Sequence, residues 1–208
     1  MVDLIEPEPD AIASYPYDNL EEGFGLVTYY AFAYKDDSGT EYGLGKSLVH
    51  SAEVGITETN TTVNSEYAFF SGTFARPRVV KGVIGVNFCL GGHSNNNDND
   101  IQTTLKVYHY DGSTATQIGS TWTSAWMELT GSGDHDNFTL NALIPITSGK
   151  KFKIGDSIKI VLGVVSNGNC WYTIGIDPQN RDSEYLTPST QAQQFTQFIT
   201  RIPFNLVN

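Results

Sequence analysis

FKIGDSIKIVLGVVSNGNCWYTIGI, residues 152–176, decides the fold class of this chain. Ile154, Ile158, Ile160, Leu162 and Val164 share one face of an extended segment. Cys170, Tyr172, Ile174 and Ile176 share one face of a second. This period of two is that of a β-strand with one buried face. Asn167-Gly168 stands between the halves, and Asn-Gly is the pair that most readily adopts the positive φ angles of a type I′ hairpin turn. The stretch therefore predicts two strands joined by a tight turn.

The same alternation recurs on either side. Leu26–Tyr34, Glu66–Phe74, Val79–Leu90, Ile101–Tyr110, Asn137–Ile146 and Phe195–Phe204 all read as strands, and Gln117–Thr130 supplies one or two more. Asp36-Asp37-Ser38-Gly39, Arg76-Pro77 and Asp111-Gly112 punctuate them. The segment GGHSNNNDND, 91–100, is polar throughout and predicts an exposed loop, and DPQNRDSEYLTPST, 177–190, a longer one. Eight to ten strands without an amphipathic helix predict an all-β chain: a single antiparallel jelly-roll-like sandwich over 23–208. The 208 residues can bury roughly 70% of the unfolded surface without disulfide or metal.

Charge is unevenly placed. The net charge is −11, from 12 basic and 23 acidic residues. Residues 1–22 hold seven of those acids and no base, together with Pro7, Pro9 and Pro16. This segment predicts an extended acidic arm outside the sheet. No basic stripe runs through the chain, which argues against a nucleic-acid partner. There is no Lys/Arg-led apolar leader and no apolar run of about 20 residues, so neither export by the usual signal nor membrane insertion is expected. Cys89 and Cys170 each fall inside a strand and are expected to be buried free thiols.

Chemistry-bearing motifs are scarce. Asp98 and Asp100, with their neighbouring Asn side chains, offer oxygen ligands for Ca²⁺, without EF-hand spacing. Asp134-His135-Asp136 places a His between two carboxylates, and a solvated turn is the simpler reading. No GxSxG elbow or HExxH pair occurs. The strand acids Glu53, Glu58, Glu66 and Glu128 read as solvent-facing. No catalytic role and no cofactor is expected. Trp122, Trp126 and Trp171 are candidates for a sugar-stacking platform, against the alternative of core filling. Arg76, Arg78 and Lys81 form one basic group; Lys150, Lys151, Lys153 and Lys159 form another. Either group suits an acidic arm from a neighbouring subunit, and a solvated strand end is the equally simple alternative. The partner-binding candidates are thus Glu6, Glu8, Asp10, Tyr15 and Tyr17 in the arm, with Arg76, Arg78 and Trp171 in the body.

Three segments, YAFFSGTFARPR with VVKGVIGVNF, FKIGDSIKIVLGV, and IDPQNRD with ITRIPFNLVN, resemble jelly-roll structural proteins of tailed phages and related viruses, the kind that decorate or cement capsids. In the middle one Gly155-Asp156 turns the chain into a long strand. The resemblance implies a non-enzymatic virion protein, assembled in a host cytoplasm as a homo-oligomer against the major capsid protein or other virion proteins. The alternative is a carbohydrate-binding module or a receptor-binding part of a tail, with a glycan as partner.

Overall fold

The computed structural model describes residues 25–37, 39–94, 99–131, 136–181 and 196–205. The arm 1–22, with Glu6, Glu8, Asp10, Tyr15 and Tyr17, lies outside the described residues. So do Asp98 and the Asp134-His135 pair.

Ten strands and no helix occupy the described residues. They are β1 (Gly25–Asp36), β2 (Gly39–Gly45), β3 (Gly55–Ser71), β4 (Arg78–Ser94), β5 (Asn99–Tyr110), β6 (Ala115–Thr123), β7 (Met127–Leu129), β8 (Asp136–Phe152), β9 (Ser157–Gly175) and β10 (Ile199–Asn205). The hydrogen-bonded order is β6-β5-β9-β3-β2-β1-β10-β4-β8, with β7 on β5 and a further pairing of β9 with β4. All pairs are antiparallel except β2 with β3. Because β9 touches both β3 and β4, six strands close a ring. The result is a flattened, jelly-roll-like sandwich, as the alternation predicts.

The hairpin reading of Asn167-Gly168 is overturned. Residues 157–175 form one strand of 19 residues. Both halves pair with β3, so neither needs the other as a partner. Asn167-Gly168 lies in a bulge: three β9 residues, 166–168, face only Val63 between the pairs Thr62↔Asn169 and Asn64↔Val165. Ser166 stitches it, its hydroxyl accepting from the Val63 amide at 2.8 Å and donating to the Gly168 carbonyl at 2.8 Å. On its other side β9 changes neighbour here, from β5 (Ile101↔Ser166) to β4 (Ser94↔Cys170). A pair that tolerates a turn also tolerates the kink by which a strand crosses between sheets.

Two further expectations change. The polar stretch 91–100 is not one loop. β4 runs to Ser94, β5 starts at Asn99, and Gly91 and Gly92 are buried. Gly92 is required there, since a Cβ would sit 2.4 Å from the Trp171 carbonyl oxygen. Ile154 is not on the inner face of β9; it is 67% exposed in the turn before it.

The core lies between the two layers. Phe198 stacks on Phe69 and Phe88 with ring centroids 5.1 and 5.3 Å away. Ile84, Leu105, Ile144, Ile160 and Leu162 are fully buried around it. Cys89 and Cys170 are buried free thiols, and burial raises the Cys170 pKa, opposed by its hydrogen bond with Ser166.

Candidate functional site: a lysine-rimmed cleft over a His–Asp pair

The end of β5, the end of β8 and the turn from β8 into β9 surround a cleft of about 370 Å³. The turn is built first. Gly155 takes φ +88°, a conformation that favours glycine, and the backbone of 153–156 folds on itself, Asp156 N–H donating to the Lys153 carbonyl at 3.2 Å. Phe74 clamps it, donating to the Asp156 carbonyl at 2.8 Å and accepting from Gly155 N–H at 2.9 Å. The Gly-Asp lead-in to the strand thus aims the Asp156 carboxylate inward.

That carboxylate accepts the Lys153 amide at 2.7 Å and meets His109 Nε2 at 2.5 Å. Its side chain is 9% exposed, that of His109 14%. Burial opposes ionisation of Asp156, but hydrogen bonds from His109 and from the Lys153 backbone, with the charges of both residues, outweigh it and hold the pKa below the ordinary value. Phe152 meets the His109 ring edge-on at 4.7 Å and fixes its plane.

Lys150, Lys151 and Lys153 form the rim, with Pro77 and Asp111 opposite. The Asp111 carboxylate is engaged by its own turn. Backbone amides of Thr114 and Ser113 at 2.7 and 3.0 Å, the Ser113 hydroxyl and the charge of His109 hold its pKa down to about 2. Both acids of the cleft are therefore occupied from within. The three lysines have no ion-pair partner among the described residues. The cleft offers electrostatic recognition of an anion and proton transfer at an imidazole.

Sequence reading identified the lysines but not the pair beneath them. His109 and Asp156 are 47 residues apart and meet only because β5 lies beside β9, with His109 opposite Ile158. The Gly-Asp turn was the one local signal. Arg76 is exposed beside Pro77. Arg78 is not on the surface. It is 2% exposed, its guanidinium 4.2 Å from the Phe74 ring centroid and 4.9 Å from that of Phe204, because its strand position points inward. Trp171 is half-buried with its ring 5.2 Å from His93, Trp122 packs on the core, and Trp126 is 49% exposed, so they do not form one exposed platform.

The strand acids mostly have partners: Glu53 pairs with Lys35 at 2.8 Å and Glu66 with Lys106 at 2.8 Å. Glu58 is less solvent-facing than its alternation predicts. It accepts from Tyr67 Oη at 3.1 Å, and Tyr67 bonds Tyr172 Oη at 2.6 Å. Desolvation by burial raises the pKa of both tyrosines. Asp100 exchanges hydrogen bonds with Asn167 at 2.8 and 3.0 Å rather than with other carboxylates. No group of three metal-ligating side chains occurs among the described residues.

No protein-family model and no curated protein matches this chain. Solved structures do resemble its fold. An α-amino acid ester hydrolase aligns over 86% of this chain and 36% of its own length, with TM-score 0.55 and 9% identity. An aminopeptidase from a marine sediment Thaumarchaeota archaeon aligns over 86% of this chain and 37% of its own, with TM-score 0.53 and 8% identity. The VP2 subviral particle protein of infectious bursal disease virus aligns over 88% of this chain and 41% of its own, with TM-score 0.36 and 13% identity. The chain thus spans little more than a third of the hydrolases it resembles. This corrects the expectation of a non-enzymatic chain: solved structures that share its fold at TM-scores above 0.5 include an ester hydrolase and an aminopeptidase. At such identities the likeness is one of fold.

Proposed function

We propose that this chain is an assembly subunit of a virus particle, a sandwich that joins neighbouring shell proteins through the outer face of β1, β10, β4 and β8. One observation carries the reading: large apolar side chains are left outside on that face. Leu26, Val83 and Leu143 are 61%, 48% and 66% exposed. The register sets them side by side. Leu26 lies opposite Pro203, Val83 opposite Pro145, and Leu143 opposite Gly85. Glycine and proline keep the surface low, so a flat partner can approach. Polar groups at its margin are tied to one another, Arg201 to Asn87 at 2.8 Å and Asn87 to Asn141. A surface of this kind suits a protein interface. The resemblance of three segments to phage jelly-roll proteins supports a virion as that assembly.

The test is to purify intact particles from the source that encodes the chain and count its copies by quantitative mass spectrometry. A fixed ratio to the main shell protein supports the reading; absence from washed particles refutes it.

A second reading, glycan binding, has its own observation on the opposite face. Phe70, Tyr108 and Tyr110 surround Lys159, whose ammonium is 5.2 Å from Phe70 and 5.9 Å from Tyr108. Gln102, Lys106 and Glu66 point from the same face. Aromatic rings beside hydrogen-bonding groups suit a sugar. Sugar binding lost in Tyr108→Ala would favour it, and a glycan array without hits would remove it.

A further inference from the structure

We propose that the Lys150–Lys151–Lys153 cleft is the docking site for the chain's own acidic N-terminal segment, with Asp18, Glu21 and Glu22 as the groups that enter it. The inference does not rest on the shell contact above.

Three observations carry it. The first is charge. Residues 1–22 hold seven acids and no base, whereas the cleft presents three lysines without ion-pair partners among the described residues, with Arg76 exposed beside it. The second is vacancy for a carboxylate. Asp111 and Asp156 already accept from turn amides, and Asp156 also from His109, and neither forms an ion pair with the three lysines.

The third is reach. Gly25 lies opposite Phe204, Phe204 opposite Val80, and Val80 opposite Lys150. The point where the segment joins the sandwich is therefore three strands from the rim, about 14 Å at the usual inter-strand spacing. An extended chain covers that distance in about four residues. Glu21 is four residues before Gly25 and so within that reach, and Asp18 is seven before it. The preceding Tyr15 and Tyr17 would follow toward Pro77. The tether makes docking within one chain far more favourable than capture of the same peptide from solution.

The test uses the full chain with a dye on Ala13→Cys, since the native cysteines are buried. The readout is dye anisotropy. Ion pairs at a rim are screened as the Debye length falls from about 10 Å at 0.1 M salt to about 3 Å at 1 M. High anisotropy is expected at low salt, independent of protein concentration, falling at high salt. It should fall equally on reversing the rim (Lys150→Glu, Lys151→Glu, Lys153→Glu) or the segment (Asp18→Lys, Glu21→Lys, Glu22→Lys). Combining both reversals should restore it. Low-salt anisotropy untouched by the rim reversal, or not restored by the combination, would overturn the proposal. So would a rise with protein concentration, which means capture by a second copy. Release by millimolar phosphate at fixed ionic strength would overturn it in favour of a free oxyanion site. Melting curves on every variant separate loss of docking from loss of fold.

Discussion

Replacing Asp156 with Ala removes the acceptor that organises both the turn into β9 and the His109 ring. Two hydrogen bonds to a buried charge disappear, those from Lys153 N–H at 2.7 Å and from His109 Nε2 at 2.5 Å. Hydrogen bonds to charged groups contribute about 1.5–3 kcal/mol each. Relief of the carboxylate's desolvation returns part of that, so the expected net loss is about 2–3 kcal/mol. In a chain of this size each kcal/mol moves Tm by about 2–4 °C, giving a fall of about 5–10 °C.

The pH dependence follows from the depressed pKa. A carboxyl whose folded pKa lies below its unfolded value of about 3.9 contributes stability that is present above that value. The contribution is lost as pH falls through the folded pKa. Wild type and Asp156→Ala should therefore differ fully at pH 5 and above and converge toward strongly acidic pH. Asp156→Asn, which keeps an acceptor for the Lys153 amide, should lose about half as much. Thermal melting by circular dichroism across pH reads all three chains. A difference under about 1 kcal/mol at neutral pH, or one that persists in strong acid, refutes the reasoning.

Other expectations are simpler. A Cβ on Gly175 would sit 2.6 Å from the Thr196 carbonyl oxygen and 2.7 Å from its Cα, both backbone atoms that cannot step aside, so Gly175→Ala should cost about 2 kcal/mol or more in denaturant unfolding. Asp177 is fully buried and holds Arg181 through Nε at 2.9 Å and its backbone amide at 2.6 Å, while Arg181 Nη2 reaches the Ser51 carbonyl at 2.7 Å. Asp177→Ala should lower stability by about 2–4 kcal/mol and speed amide exchange around Asn180 and Thr196. Both thiols should react with an aromatic disulfide reagent only at the rate of unfolding, because both are buried in native chains.

The fold class was legible because β-strands with one buried face write their period of two into the chain. Ile84, Val86 and Phe88 on β4 and Ala142, Ile144 and Ile146 on β8 are inward as their alternation demands. What local pattern does not carry is partnership. Asn167-Gly168 satisfies a turn and a crossover bulge equally, and only the match of β3 along all of β9 chooses between them. Arg78 looked like a surface cation because its charge was weighed without its strand phase; Phe74 and Phe204 stack on the guanidinium and let it be buried. The cleft divides the same way. Its lysines are neighbours in sequence and visible there, whereas the His109–Asp156 contact exists only once β5 pairs with β9. The apolar face was hidden for a related reason: Leu26, Val83 and Leu143 come from three strands, and each alone is an ordinary exposed residue.

The most direct test of the assembly role is a chain carrying Val83→Glu and Leu143→Glu. Both side chains are exposed, so stability should change by less than about 0.5 kcal/mol per site. Two carboxylates in the middle of an apolar contact, by contrast, cannot be desolvated cheaply. Sedimentation with purified particles, beside a melting curve of the same sample, measures both. The account predicts unchanged melting and loss of the chain from the particle fraction; undiminished sedimentation with the particles would contradict it.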